Sequence, residues 1–171
     1  MKKLSIAVLA LMVFTSCQKQ KIAFLDNGKV INQVELKKAV EEKYKQKEAA
    51  LSQKTDSLKL AFQTEVQEAS TLASKMKDQN KIQQLSQSFQ QKEQMLSRQI
   101  QTEQQNLANG YRTEIDSVIK TVKIFVKDYG KSKGYDYILG TSDNTASVMY
   151  AKESTDLTEE IIKAFDAKNN K

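Results

Sequence analysis

Between Gly28 and Gly110 the sequence contains neither glycine nor proline, and proline is absent from all 171 residues. Glycine and proline interrupt helices more strongly than any other residues, so this run permits helices far longer than the usual three turns. Only 39% of the residues are hydrophobic and 7% are aromatic. That composition is lean for a compact globular core, but it is normal for long helices that bury a narrow apolar stripe.

Apolar residues within and beyond this run recur at helical spacing. They form two narrow sets, mostly at steps of three, four or seven residues, and such sets are typical of coiled-coil seams. The first set consists of Val40, Tyr44, Leu51, Leu58, Phe62, Val66, Ala69, Ala73 and Met76. The second set consists of Ile82, Leu85, Phe89, Leu96, Ile100, Leu107, Tyr111, Ile115, Val118, Val122, Phe125 and Tyr129.

The two seams are separated by polar residues, which predict a bend near 77–81. Two seams of similar length joined by a bend favour an antiparallel helical hairpin, an arm over residues 35–129 that ends before Gly130 and Gly134. Helices of about 40 residues would make this arm about 60 Å long. The alternative is one continuous helix through Asp78, which would be a far longer rod.

The segment before the arm has the pattern of a strand. Residues 21–26 are mostly apolar and end at Asn27-Gly28, a turn signal. Asn32 stands three residues before Glu35, which predicts a capping box at the start of the first long helix.

The segment after the arm also predicts strands. Residues 135–139 and 146–151 flank the polar residues 141–144 and predict a β-hairpin. Asp156 and Glu159 form a capping box that predicts a short last helix. Segments 21–34 and 130–171 are therefore expected to form a small β-containing body that carries the arm, so the fold class is α+β and predominantly helical.

Residues 1–16 have the pattern of an export signal, with basic Lys2-Lys3, a short apolar core and small residues before Cys17. The apolar core is too short to span a membrane as a helix. Residues 13–17 resemble a bacterial lipobox, with Phe14 where leucine is usual, which predicts cleavage before Cys17 and its lipidation. The expected location is the periplasm, at the inner face of the outer membrane. A soluble periplasmic protein with one stray thiol is the alternative.

The residue inventory argues against catalysis. The chain has no histidine and a single cysteine, so the commonest general base and metal ligand is missing. Adjacent carboxylates such as Glu41-Glu42 diverge on a helix, and neither a phosphate loop nor a metal-ligand cluster is present. We expect no enzyme activity, no cofactor and no metal. The net charge of +6 suits acidic or amphipathic partners but is too diffuse to indicate nucleic acid.

The ends of the chain resemble the Skp/OmpH family of periplasmic chaperones. The resemblance rests on residues 21–26 with Val30, and then on 133–139, 148–151 and 156–164 in the same order. It implies a homotrimer in which three bodies join and three arms surround a cavity that holds unfolded outer-membrane proteins without ATP. The body residues expected at the oligomer contact are Ile22, Phe24, Ile138, Leu139, Val148 and Tyr150. The lipobox is a departure, since the best-known members are soluble.

The inside of the arms is the expected client-binding surface, because many shallow contacts hold varied sequences better than one deep pocket does. Basic residues near the bend and one methionine outside the seam are the candidates, namely Lys75, Lys77, Lys81, Lys92, Met95 and Arg98. Two other hypotheses share the helical features: a coiled-coil lipoprotein that spaces or tethers envelope components, and an export-pump adaptor. The remaining residues are too few for the strand-rich domains of such an adaptor.

Overall fold

The computed structural model describes residues 19–142 and 147–169. The predicted export signal and Cys17 lie outside the described residues, as does part of the predicted turn at 141–144. The chain divides into two compact units. One unit, the body, comprises residues up to Val34 together with Ile119–Lys171, and the other, the arm, comprises Glu35–Val118.

Among the described residues, the sheet of the body has two parallel strands. β1 (Ile22–Asp26) pairs with β2 (Tyr137–Thr141). The predicted hairpin between 135–139 and 146–151 is wrong, because the described residues 147–151 contain no strand. β2 takes its partner from the other end of the chain, which parallel pairing allows when a long helical connection lies between the strands.

The N-terminal part of the body is more helical than predicted. α1 (Asn27–Gln33) follows β1 directly, because the Asp26 carboxylate accepts a hydrogen bond of 2.9 Å from the backbone N–H of Lys29 and caps the helix. The turn predicted at Asn27-Gly28 is therefore wrong. Asn32 lies within α1 rather than capping the next helix, and the extended backbone of Val34 separates the two helices.

Helix α4 (Thr158–Asn169) completes the body. Its start confirms the predicted last helix, with the Asp156 carboxylate accepting a hydrogen bond of 2.8 Å from the backbone N–H of Thr158. α4 packs against α1, and the rings of Phe125 and Phe165 meet edge to face at 5.3 Å. The largest fully buried side chains of the core are Val30, Val34, Ile161 and Phe165.

The arm consists of α2 (Glu35–Ala73) and the first part of α3 (Gln79–Lys133). Ion pairs join Lys43 to Glu114 at 2.7 Å and Lys54 to Glu103 at 2.8 Å. Since residue numbers rise along α2 while those of its partners fall along α3, the helices are antiparallel. The predicted hairpin is confirmed, and the single continuous helix is wrong.

The segment between the arm helices is short. Residues 74–78 are not helical, and the bend expected at 77–81 shares residues 77 and 78 with them. The Asp78 carboxylate accepts hydrogen bonds from the backbone N–H groups of Asn80, at 3.0 Å, and Lys81, at 3.3 Å. At its other end α3 continues past Gly130 and stops at Gly134, whose φ of 69° is readily adopted only by glycine.

Candidate functional site

The two arm helices are in close contact at a site formed by two tyrosines and a glycine. The ring of Tyr44 on α2 meets that of Tyr111 on α3 edge to face, with centroids 5.3 Å apart. A β-carbon at Gly110 would lie only 2.8 Å from the Tyr44 hydroxyl oxygen. The absence of a side chain at Gly110 therefore allows the Tyr44 phenol to lie directly against α3.

Charged groups complete this contact. The Tyr44 hydroxyl donates a hydrogen bond of 2.9 Å to Glu114, and the Lys43 ammonium donates to the same carboxylate. These bonds, that from Lys43 foremost, hold the pKa of Glu114 below its usual value. The bond to Glu114 raises the pKa of Lys43, while burial, followed by the same carboxylate, raises the pKa of Tyr44. The cluster of Lys43, Tyr44, Gly110, Tyr111 and Glu114, here called the tyrosine clamp, fastens the hairpin.

A groove runs along the hairpin between α2 and α3. It comprises three adjoining cavities of about 690, 540 and 450 Å³. The first and second share Lys59 and Gln104, and the second and third share Phe62 and Glu93. These shared lining residues make the cavities one continuous arm groove, which begins beside the tyrosine clamp and reaches the last turn of α2.

The chemistry of the arm groove changes along its length. Beside the tyrosine clamp its lining includes several charged side chains, namely Glu41, Lys45, Glu48, Asp56 and Lys59. Toward the bend the lining becomes largely apolar, with Phe62, Val66, Ala69, Ala73, Ile82, Leu85 and Phe89. The small alanines of α2 leave space there that larger seam residues would fill. The groove therefore offers both polar and apolar contacts to an extended chain.

The body presents an apolar sheet face. Ala23 and Leu25 of β1 are buried, whereas alternate residues point to the opposite face. On that face Ile22 lies opposite Tyr137 and Phe24 opposite Leu139. Ile22 is 44% exposed, Leu139 45% and Tyr137 53%. This set of four residues is here called the outer sheet face; Phe24 is half-buried and the other three side chains are exposed.

Comparison with known proteins places the chain in a family. The family model for "Outer membrane protein (OmpH-like)" matches residues 21–165. The chain belongs to the OmpH-like family. A solved structure of a candidate outer membrane chaperone (OmpH-like) from Caulobacter crescentus aligns with a TM-score of 0.75. That alignment covers 88% of this chain and 86% of the other at 15% identity, so it supports the shared fold. No curated protein matches the chain.

The predicted client-facing residues of this OmpH-like chain lie on the arm. Lys75, Lys77 and Lys81 are exposed in or beside the bend. Met95 is 64% exposed, as its position off the seam predicts, and Arg98 is also exposed. Lys92 is different, because its ammonium pairs with the Glu65 carboxylate across the hairpin. None of these six residues is among the groove-lining side chains.

The predicted contact residues of the body fall into three sets. Ile22, Phe24 and Leu139 belong to the outer sheet face, whereas Ile138 alternates to the other side of β2, near Gly130. Val148 and Tyr150 lie outside any strand. In the single chain the Tyr150 side chain is 86% exposed, beside Met149 at 88%, so its place at the oligomer contact stays a prediction.

The tyrosine clamp is not predicted from the sequence. Tyr44 and Tyr111 are assigned to the seams, but Gly110 and Glu114 are not identified as their partners. An isolated glycine inside a helical pattern costs stability and usually has a packing reason, so Gly110 was the available signal.

Among the described residues no group of acidic or thiol side chains could hold a metal ion. No helix in that part of the chain is long and apolar enough to cross a membrane.

Proposed function

We propose that the protein is an ATP-independent periplasmic holdase chaperone that binds unfolded outer-membrane proteins between the helical arms of a homotrimer. Membership of the OmpH-like family and the fold shared with a candidate outer membrane chaperone support a chaperone role in the periplasm. The observation that carries the proposal is the open arm groove, since a hairpin built only as a spacer gains nothing from unfilled space along its seam.

The composition of the groove suits this class of client. Strands of outer-membrane β-barrels alternate apolar and polar side chains and are rich in aromatic residues near their ends. An extended segment of such a protein can place apolar side chains in the part of the groove lined by Phe62 and Phe89. Its polar side chains can meet the charged part near Lys45 and Asp56. Many shallow contacts of this kind hold varied sequences weakly and release them without an energy source.

The outer sheet face supports self-association. Three of its four apolar side chains are exposed in the described chain, and small sheets need further strands or packing to be stable. Burial of this face in a homotrimer would remove it from water, together with Met149 and Tyr150. The trimer would also bring three arm grooves to one client.

The lipid anchor is a further part of the proposal. Cys17 follows the predicted export signal directly. Each CH₂ group that an acyl chain buries in the membrane contributes about 0.8 kcal/mol, so two or three acyl chains anchor a protein stably. We propose that Cys17 carries these chains and holds the chaperone at the inner face of the outer membrane. Mass spectrometry of the protein processed in a bacterial host tests this, because unmodified Cys17 would contradict it.

The function is tested by aggregation of a client. An outer-membrane β-barrel protein unfolded in urea is diluted into buffer with and without the purified protein, and light scattering is followed while sizing gives the oligomeric state. We expect a trimer that suppresses light scattering at a molar ratio of about one trimer per client. A defined oligomer that suppresses none of several such clients would contradict the holdase and favour the structural spacer.

A further inference from the structure

One face of α3 in the body carries four lysines in a row. Lys120, Lys123, Lys127 and Lys131 are all exposed. At 100° per residue they occupy about 80° of the helix circumference and extend about 17 Å along its axis. Ile124, which is 53% exposed, borders this arc, about 20° beyond Lys131. These five residues are here called the lysine stripe.

The lysine stripe does not take part in the packing of the body. Val122, Phe125 and Tyr129 lie on the side of α3 that packs into the body, where Phe125 meets Phe165. Among the ion pairs within the described chain, none includes a lysine of the stripe. Lysines at spacings of three and four residues repel each other, and Asp116 and Asp128, at such spacings from Lys120 and Lys131, offset only part of this charge. An anionic surface would relieve this repulsion.

The N-terminal segment is held at the C-terminal end of α3. The Lys21 ammonium donates a hydrogen bond of 2.8 Å to the carbonyl of Lys133 in the last turn of α3, and lies 4.0 Å from the ring centroid of Tyr135. The backbone N–H of Lys21 donates to Asp136 at 2.7 Å. The chain is therefore fixed to the C-terminal end of α3 only four residues after Cys17.

This short tether limits the distance between the body and the lipid. Four extended residues span at most about 14 Å, so acyl chains on Cys17 would hold the end of α3 close to the bilayer. Lys131 lies in that same last turn. Charges act over about 8 Å at physiological ionic strength, a distance comparable with the reach of the tether.

We infer that the lysine stripe binds the surface of an anionic phospholipid bilayer, so that the body lies against the membrane to which Cys17 is anchored. The lysine ammonium groups bind the lipid phosphates and Ile124 contacts the outer part of the acyl region. Lipid anchors and basic patches together hold proteins on membranes in this manner. The inference rests on the lipid anchor proposed above and is independent of how the arm binds clients.

The test uses a tryptophan reporter, because the chain contains no tryptophan. Ile124→Trp is introduced into the full chain, which is processed in a bacterial host and reconstituted from detergent onto preformed vesicles. Vesicles contain either phosphatidylcholine alone or equal parts of phosphatidylcholine and phosphatidylglycerol, each with brominated lipid as a quencher. We expect quenching at least about twofold stronger with phosphatidylglycerol, and its loss in 0.5 M salt because salt screens the attraction.

Two matched variants separate the lysine stripe from general charge. Replacing Lys120, Lys123, Lys127 and Lys131 by glutamine should abolish the additional quenching. Replacing four arm lysines by glutamine, namely Lys45, Lys59, Lys75 and Lys77, removes the same amount of charge. This control variant should keep the additional quenching. Leu60→Trp, at an exposed arm position, should show no lipid-dependent quenching.

The outcomes decide the inference separately from the chaperone function. Equal quenching on both kinds of vesicle, unchanged quenching in the stripe variant, or no association with phosphatidylglycerol vesicles would each overturn it. Co-flotation of the Ile124→Trp protein without quenching of its tryptophan would show a tether without a docked body and would also overturn it. Suppression of client aggregation is measured on the same variants. It should be unchanged by the stripe substitutions, so failure of the holdase assay remains distinguishable.

Discussion

The hydroxyl oxygen of Tyr44 lies 2.8 Å from the position that a β-carbon on Gly110 would occupy. A glycine in the interior of a helix costs about 1 kcal/mol relative to alanine. The chain accepts that cost where the phenol of one arm helix lies against the other and donates to Glu114. The tyrosine clamp thus fixes the register of the hairpin at one end of the arm groove.

The first prediction concerns this contact. Gly110→Ala should not give the usual gain in helix stability, because overpacking costs about 1–3 kcal/mol. In a Tyr44→Phe background the closest remaining ring atoms are 3.6 Å away, so the same substitution should stabilise the arm by up to about 1 kcal/mol. Urea denaturation of the four proteins in a double-mutant cycle measures the coupling. Equal effects of Gly110→Ala in both backgrounds would show that the hydroxyl contact is unimportant.

Acid should weaken the arm. The pKa of Glu114 lies below 4.5 because Lys43 and Tyr44 donate hydrogen bonds to it, and the pKa of Glu103 lies below 4.5 because Lys54 and Gln99 do so. A carboxylate with a depressed folded-state pKa contributes stability above its unfolded pKa, and that contribution is lost as the pH falls through the folded pKa.

Thermal melting followed by circular dichroism at pH 6 and pH 3 measures this effect. From pH 6 to pH 3, the Tm of the variant with Glu103→Gln and Glu114→Gln should fall by less than the Tm of the wild-type protein. Glu68→Gln with Glu153→Gln, which changes the same number of carboxylates, should behave like the wild type. An identical pH dependence of all three proteins would refute the role assigned to these two carboxylates.

Alkali should act on the body through Tyr129. Burial, together with the hydrogen bond to Glu160, raises the pKa of this phenol to about 12 from 10.0. A raised folded-state pKa contributes stability that is present below pH 10 and is lost as the pH rises toward 12. Spectrophotometric titration near 295 nm should therefore show that Tyr129 ionises about two pH units above the ordinary value. If the late step of the titration disappears in Tyr129→Phe, that step belongs to Tyr129. An unchanged titration curve in that variant would contradict the prediction.

Self-association should depend on the outer sheet face. Leu139→Asp places a carboxylate on the face that the proposed trimer buries, where an unpaired charge is strongly unfavourable. We expect monomers in analytical ultracentrifugation at concentrations where the wild type is trimeric, a loss of at least about 100-fold in association. Leu60→Asp, at an arm position that is 65% exposed, is the control and should remain trimeric. A trimeric Leu139→Asp would mean that another surface carries the assembly.

The hairpin was predictable from the sequence because its cause is local. The absence of glycine and proline permits long helices, and the apolar spacing from Val40 onward selects the faces that meet. The short polar segment before Gln79 then marks the bend. Helix ends were less predictable: Asp26 caps α1 and converts Asn27-Gly28 from a turn into the first helical residues.

The strand pairing was not predictable from local patterns. A polar turn after residues 135–139 favours a neighbouring partner, but the partner of Tyr137 is Ile22, at the opposite end of the chain. The arm groove and the tyrosine clamp were equally hidden, because they depend on the register between two helices. Only when Lys43 is known to face Glu114 does Gly110 fall beside Tyr44.

Site-specific photo-cross-linking tests the central claim, that the arm groove holds unfolded outer-membrane proteins. Ser86 lines the apolar part of the groove, whereas the exposed Ser88 on the same helix does not. A benzophenone amino acid is placed at either position, and the protein is irradiated with a β-barrel client diluted from urea. We predict cross-links to the client from position 86 that exceed those from position 88 by about fivefold or more, a factor equivalent to about 1 kcal/mol of preference. Equal cross-linking from both positions, or none from position 86, would contradict the assignment of the groove as the client-binding surface.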